Sequence, residues 1–140
     1  MGLPEPEDLT SLVLRTDFSD DKVWETVQTA IASSYAHRCA TFVSDPAYSG
    51  VDMQTLIDAD SSAEEDDKVV YLFLADAVTM ADGEHPLLAV DLMDKPARTF
   101  RVPPRWFADV SANLCIANLD FDEFADAVDA YGTYRGSQGK

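Results

Sequence analysis

Val69–Asp76, V-V-Y-L-F-L-A-D, decides the fold: six apolar residues, then Ala and an acid. The run has the length of a strand and no helical spacing. A strand that is apolar on both faces must be covered on both, so it belongs near the middle of a sheet. An acidic tract precedes it and a polar turn follows. The rest of the chain is read as supplying its neighbours.

On the N-terminal side, Leu9–Phe18 contains a first strand. Leu12, Leu14, Thr16 and Phe18 fall on one face, and Val13, Arg15 and Asp17 on the other. Ser19 then caps a helix over Asp20–Ser34, with Asp20 and Asp21 in the first turn, where the helix dipole favours acids. Val23, Trp24, Val27, Ala30 and Ile31 form its apolar stripe. Tyr35–Arg38 is the return into a second strand, Cys39–Val43, which closes at Ser44-Asp45-Pro46. Strand, helix, strand is a βαβ unit, for which a right-handed crossover is expected. A short helix is expected over Asp52–Ile57. Asp58–Lys68, with nothing to bury, predicts an exposed, mobile loop. Its D-x-D-S-S run lacks the Gly and the spaced Glu of a calcium loop.

On the C-terminal side, Val78–His85 reads as a loop. Pro86 opens a fourth strand, and Asp94-Lys95-Pro96 turns into a fifth, Thr99–Val102. So short a connection implies an antiparallel hairpin. Pro103-Pro104 ends it. Arg105–Asn118 is the hardest segment, and Leu114–Ala117 is read as a strand. Asp120 then caps a helix, with Glu123 at N3 and Leu119 stapled to Phe124. Phe121, Phe124, Ala125 and Val128 form the buried stripe, and Gly132 is the expected stop. The expectation is a single α/β domain over 9–134. It has a mixed sheet of about five strands, an N-terminal βαβ unit, a later antiparallel hairpin and helices packed on the sheet. Residues 1–8 and 135–140 are expected to be flexible termini.

Composition limits the function classes. The 140 residues are 46% hydrophobic and 10% aromatic, enough for one core. No apolar run approaches the ~20 residues of a membrane span. The first residues, M-G-L-P-E-P-E-D-L, have neither the basic region nor the apolar core of a secretory signal, so a cytoplasmic location is expected. Cys39 and Cys115 are read as reduced, buried thiols. Twenty-six acids against ten bases give a net charge of −16, with 19 Asp to 7 Glu. Nucleic acid and anionic membrane are poor partners for such a surface; a basic protein or a cation is permitted. The same charge also serves solubility in an acidic proteome.

The runs T-D-F-S-D-D-K-V-W, S-D-P-A-Y-S-G, F-L-A-D-A-V-T-M, E-H-P-L-L-A-V-D-L, F-R-V-P-P and A-N-L-C-I-A-N-L-D-F-D-E-F lie between Leu9 and Tyr134. Together they resemble an uncharacterised family of small acidic proteins common in Streptomyces and related actinobacteria. The resemblance implies a cytoplasmic bacterial protein and carries no mechanism, no cofactor and no catalytic residue.

Two sets of side chains are candidates for chemistry. Asp17, Asp45 and Asp76 follow the first three strands, where ligands of open α/β sheets bind, and three converging carboxylates suit Mg²⁺ or another divalent cation. Asp17 in T-D-F-S-D and Asp45 in S-D-P-A-Y also suit ordinary turn caps. Receiver domains place acids similarly, but the paired acids of strand one and a later Lys are missing here. Arg98, Arg101 and Arg105, followed by Trp106 and Phe107, are the densest basic group. They suit a carboxylate, a phosphate or a partner's acidic side, or internal pairing with Asp91 and Asp94 across the hairpin. His85 beside Glu84 is a possible acid/base pair; His37 is the other histidine. No nucleophile elbow or phosphate-binding glycine loop is present. The leading reading is a non-enzymatic, immunity-like binding or regulatory protein. The alternative is a small cation-dependent enzyme or ligand sensor. The oligomeric state is not legible.

Overall fold

The computed structural model describes residues 10–33, 40–64, 69, 71–92, 98–115, 121–130 and 132–134. One five-stranded sheet organises them. Its strands are β1 (Ser11–Arg15), β2 (Ala40–Val43), β3 (Tyr71–Ala75), β4 (Leu87–Asp91) and β5 (Thr99–Val102), in spatial order β2-β1-β3-β4-β5. β1 pairs in parallel with β2 and β3, whereas β3–β4 and β4–β5 are antiparallel. The Y-L-F-L-A part of the greasy run is thus the middle strand, and the expected α/β class and hairpin hold.

The pleat sends alternate side chains to opposite faces, and each face has its own core. Val13, Phe73, Ala75, Leu87, Ala89, Phe100 and Val102 face one way. Helix α1 (Asp21–Ser33) covers them with Trp24, Val27 and Ile31, and its Trp24 meets Phe42 edge-on at 5.9 Å. Leu12, Leu14, Leu72, Leu74 and Val90 face the other way, where α2 (Met53–Ser61) supplies Leu56 and Ile57. The helices leaving β1 and β2 therefore lie on opposite faces. A sheet buried on both sides requires such cover.

The C-terminal third corrects two expectations. Leu114 is helical: α4 spans Pro104–Cys115. Pro104 stands at the first helical position, where its missing N–H costs nothing. Phe107, Val110 and Ser111 are buried and Leu114 is partly so, an i, i+3, i+4, i+7 stripe that packs beside α1. The Pro-Pro pair ends β5, as expected, and also starts a helix. Helix α5 (Phe121–Ala125) lays Phe121 and Phe124 on Phe100 at 5.0 and 6.3 Å. It stops well before Gly132, whose φ of +82° instead turns the chain back to β5. There Arg101 N–H donates to the Gly132 carbonyl and Tyr134 N–H to the Arg101 carbonyl, so the edge of β5 is covered.

Two further elements replace expected loops. Helix α3 (Ala77–Ala81) follows β3 directly, and α2 continues to Ser61. The extension brings Asp60 into the interior, 1% exposed, where its carboxylate accepts from Val69 N–H at 2.6 Å. The start of the acidic tract is thus structural, because a buried amide next to the central strand needs an acceptor. Asp60→Ala should cost about 1–3 kcal/mol, the usual result of stranding a buried donor. Asp58→Ala, at an exposed position of the same helix, should stay within about 0.5 kcal/mol. Urea midpoints of the two variants check this. Cys39, His37, the Asp94-Lys95-Pro96 turn, and the Asp120 cap with its Leu119 staple lie outside the described residues, as does the side chain of Cys115.

Candidate functional site at the carboxyl rim of the parallel strands

β1, β2 and β3 run the same way, so the residues that follow them share one edge of the sheet. Arg15 ends β1 and is 3% exposed. Its guanidinium donates from Nε to the Asp17 carbonyl at 2.9 Å, from one terminal nitrogen to Ser44 Oγ at 3.3 Å, and from the other to Asp21 Oδ1 at 2.8 Å. It also lies 4.4 Å from the Phe18 ring centre and 5.5 Å from that of Trp24. One side chain thereby ties the end of β1 to that of β2 and to the start of α1. Only a planar fork that also stacks on aromatic faces does all of this.

Asp76 ends β3. Its carboxylate accepts from Thr79 N–H at 3.2 Å, while Thr79 Oγ1 returns to the Asp76 N–H, closing a capping box on α3. The same carboxylate takes both terminal nitrogens of Arg101, at 2.8 and 2.9 Å. Arg101 lies on β5, and it also reaches the Pro86 carbonyl at 3.3 Å. Thr79 Oγ1 donates to that carbonyl too, at 2.7 Å. Burial pushes the Asp76 carboxyl up. The Arg101 hydrogen bonds and charge, with those of Thr79, outweigh it and hold the carboxyl below its ordinary value.

The other two rim aspartates cap their own turns. Asp17 Oδ1 accepts from Ser19 N–H at 2.8 Å and from Ser19 Oγ, and these bonds lower its pKa. Burial and the negative charge of Asp76 pull weakly the other way. Asp45 Oδ1 accepts from Ala47 N–H at 3.0 Å, opening the 3₁₀ turn Pro46–Tyr48. Gly50 N–H then donates to the Thr16 carbonyl at 2.9 Å and lays this loop against the end of β1. Among the described residues no three His, Cys, Asp or Glu side chains are grouped to hold a metal ion. Topology gives a reason. The strand order reverses at β1, but Met80 of α3 joins the core on the α1 face. The chains leaving β1 and β3 therefore do not part around a crevice, as they do in doubly wound sheets.

The arginines disperse. Arg98 pairs with Asp122 and Asp126 at α5, and Arg101 with Asp76, so both reach outside the hairpin rather than to Asp91. Asp94 lies outside the described residues. Arg105 is exposed and Trp106 partly buried, the guanidinium 5.0 Å from the indole centre. His85 and Glu84 edge a cleft of about 340 Å³ beside Pro103, Pro104 and Arg105. His85 takes a left-handed φ of 50°, and its Nδ1 is 2.9 Å from the Thr79 carbonyl oxygen. Thr79 thus bonds to both Asp76 and His85. Sequence reasoning missed Arg15 and Thr79. An arginine directly after the apolar run L-V-L was the available signal for the first, and D-x-x-T after the central strand for the second.

A mixed five-stranded sheet with helices on both faces and an ion-paired rim defines a small α/β protein without a recognisable catalytic constellation among its described residues. The chain belongs to the family described as a domain of unknown function (DUF6924), whose model matches residues 10–137. No curated protein matches it.

Proposed function

We infer that this is a non-enzymatic, acidic binding or regulatory module, immunity-like in acting on a basic protein partner. The observation that carries this reading is where the charge goes. The chain has 26 acids and 10 bases. Arg15, Arg98 and Arg101 are spent on internal carboxylates. Asp20, Glu25, Asp52, Asp58, Glu64, Asp82 and Glu123 are exposed on several elements. The surface is therefore anionic in several directions, which favours a cationic protein and disfavours nucleic acid and anionic lipid. Among the described residues no helix is long and apolar enough to cross a membrane. A cytoplasmic setting, an actinobacterial source and one domain over 9–134 complete the reading.

The test is capture with the full chain as bait at low salt, followed by reconstitution with the purified partner. A stoichiometric partner of high pI is expected, with affinity falling steeply as salt rises. Recovery of no such partner at low salt overturns the reading. A divalent-cation site at Asp17, Asp45 and Asp76 is the second reading, favoured by the position of all three just after the parallel strands β1, β2 and β3. Mg²⁺ or Mn²⁺ should then raise the melting temperature saturably, and Asp17→Asn should abolish that rise.

A further inference from the structure

Arg105 stands apart from the other three described arginines. Those three are ion-paired. The Arg105 guanidinium has no carboxylate partner among the described residues and rests over Trp106. In a chain of net charge −16, an arginine left over is a cation kept for something else. It edges the cleft of about 340 Å³ together with Glu84 and His85, against a wall of Ala30, Pro103 and Pro104. That volume is at the lower end of the ~300–1,000 Å³ typical of small-molecule sites.

His85 is set for the same cleft. A carbonyl oxygen only accepts, so the contact with Thr79 places a proton on His85 Nδ1 and fixes the orientation of the ring at the edge of the cleft. His85 N–H donates to the Asp82 carbonyl at 2.9 Å, which holds the left-handed backbone in place. Such backbone costs roughly 1 kcal/mol or more at a non-glycine residue and persists where its surroundings enforce it. The cleft also lies at the start of α4, whose N-terminal end carries partial positive charge.

We propose that this cleft binds a small organic monocarboxylate. The carboxylate lies on the Arg105 guanidinium, and the carbon body lies against Ala30, Pro103, Pro104 and the edge of the His85 ring. Glu84 at the edge and the charge of the whole molecule penalise a second negative charge, so a phosphate dianion is disfavoured. The site goes beyond the partner-binding reading and does not depend on it.

The experiment is NMR on the full chain labelled with ¹⁵N and ¹³C, titrated with sodium propionate into the tens of millimolar. Sodium chloride at equal ionic strength and inorganic phosphate serve as comparisons. Saturable shifts of the His85 ring nitrogens and the Arg105 side-chain N–H groups are expected with propionate. Arg105→Gln should weaken the binding about tenfold or more, equivalent to about 1.4 kcal/mol. His85→Asn, which keeps a residue tolerant of left-handed backbone, should weaken it as well. Shifts that match those of chloride, or binding unchanged in Arg105→Gln, overturn the site. Phosphate binding more tightly than propionate overturns the ligand class. Arg105 is exposed, so its variant decides the matter even if His85→Asn proves unstable.

Discussion

Phe73→Ala is expected to lower the free energy of unfolding by about 3–5 kcal/mol, the largest loss of any single truncation considered. Phe73 is fully buried in β3, with β1 and β4 on either side. Its ring meets Phe107 of α4 at 4.7 Å and Tyr71 at 6.0 Å, both edge-on. Truncation removes the transfer energy of the ring, opens a cavity between sheet and helix, and forfeits aromatic contacts that add roughly 0.5–1.5 kcal/mol each. Domains of this kind hold only about 5–15 kcal/mol in total, so the variant should melt some 10–20 °C lower or fail to fold at 37 °C. Phe73→Leu, which keeps most of the volume but loses both ring contacts, should lose about 1–3 kcal/mol. Val78→Ala, at a 46% exposed position, should be neutral. Urea denaturation of the three variants reads the ordering directly. A loss below about 1 kcal/mol for Phe73→Ala would mean that the sheet does not pack around β3.

The reason Phe73 was findable explains what else was. A run apolar on both faces has one solution, the interior of a sheet covered on both sides, and no distant partner needs to be known. Trp24, Val27 and Ile31 were equally local, because their spacing is that of one helix face. Leu114 failed for the opposite reason. N-L-C-I-A-N suits strand and helix alike at that length, and the deciding residues were Pro104 at the helix start and Phe107 and Val110 upstream. Asp60 failed because its acceptor role depends on the Val69 amide of another element, which composition does not reveal. The site was legible in position and not in partnership. Asp17, Asp45 and Asp76 were placed after parallel strands, as observed. That Arg101 would claim Asp76 depended on β5 returning along β4 and on α3 being capped there. The internal pairing of the arginines with Asp91 and Asp94 took acids close in sequence. The folded chain used Asp76, Asp122 and Asp126, brought close by topology.

Asp76→Ala should be the second most damaging change, at about 2–4 kcal/mol. Two losses combine. The α3 cap goes, for roughly 0.5–2 kcal/mol, and the partly buried Arg101 guanidinium is left without its carboxylate, for roughly 1–3 kcal/mol. Asp76→Asn separates them, since the amide oxygen still caps Thr79 N–H but carries no charge for Arg101; it should retain about half of the loss. The pH dependence has a definite sign. The folded Asp76 carboxyl has a pKa below its ordinary value, so the unfolded chain binds the proton more readily. The stabilisation from the ionised carboxyl is therefore fully present above the unfolded value of about 3.9 and drains away as pH falls through the depressed folded one. The gap in stability between the parent and Asp76→Asn should be constant from neutral pH down to about 5 and should close below about 4. Arg101→Met supplies the other arm of a double-mutant cycle, whose coupling energy isolates the pair from the cap. If the gap to Asp76→Asn does not narrow in acid, the carboxylate is not held ionised by Arg101. The tie between the end of β3 and the hairpin would then come from the β3–β4 ladder and from the Thr79 and Arg101 bonds to the Pro86 carbonyl.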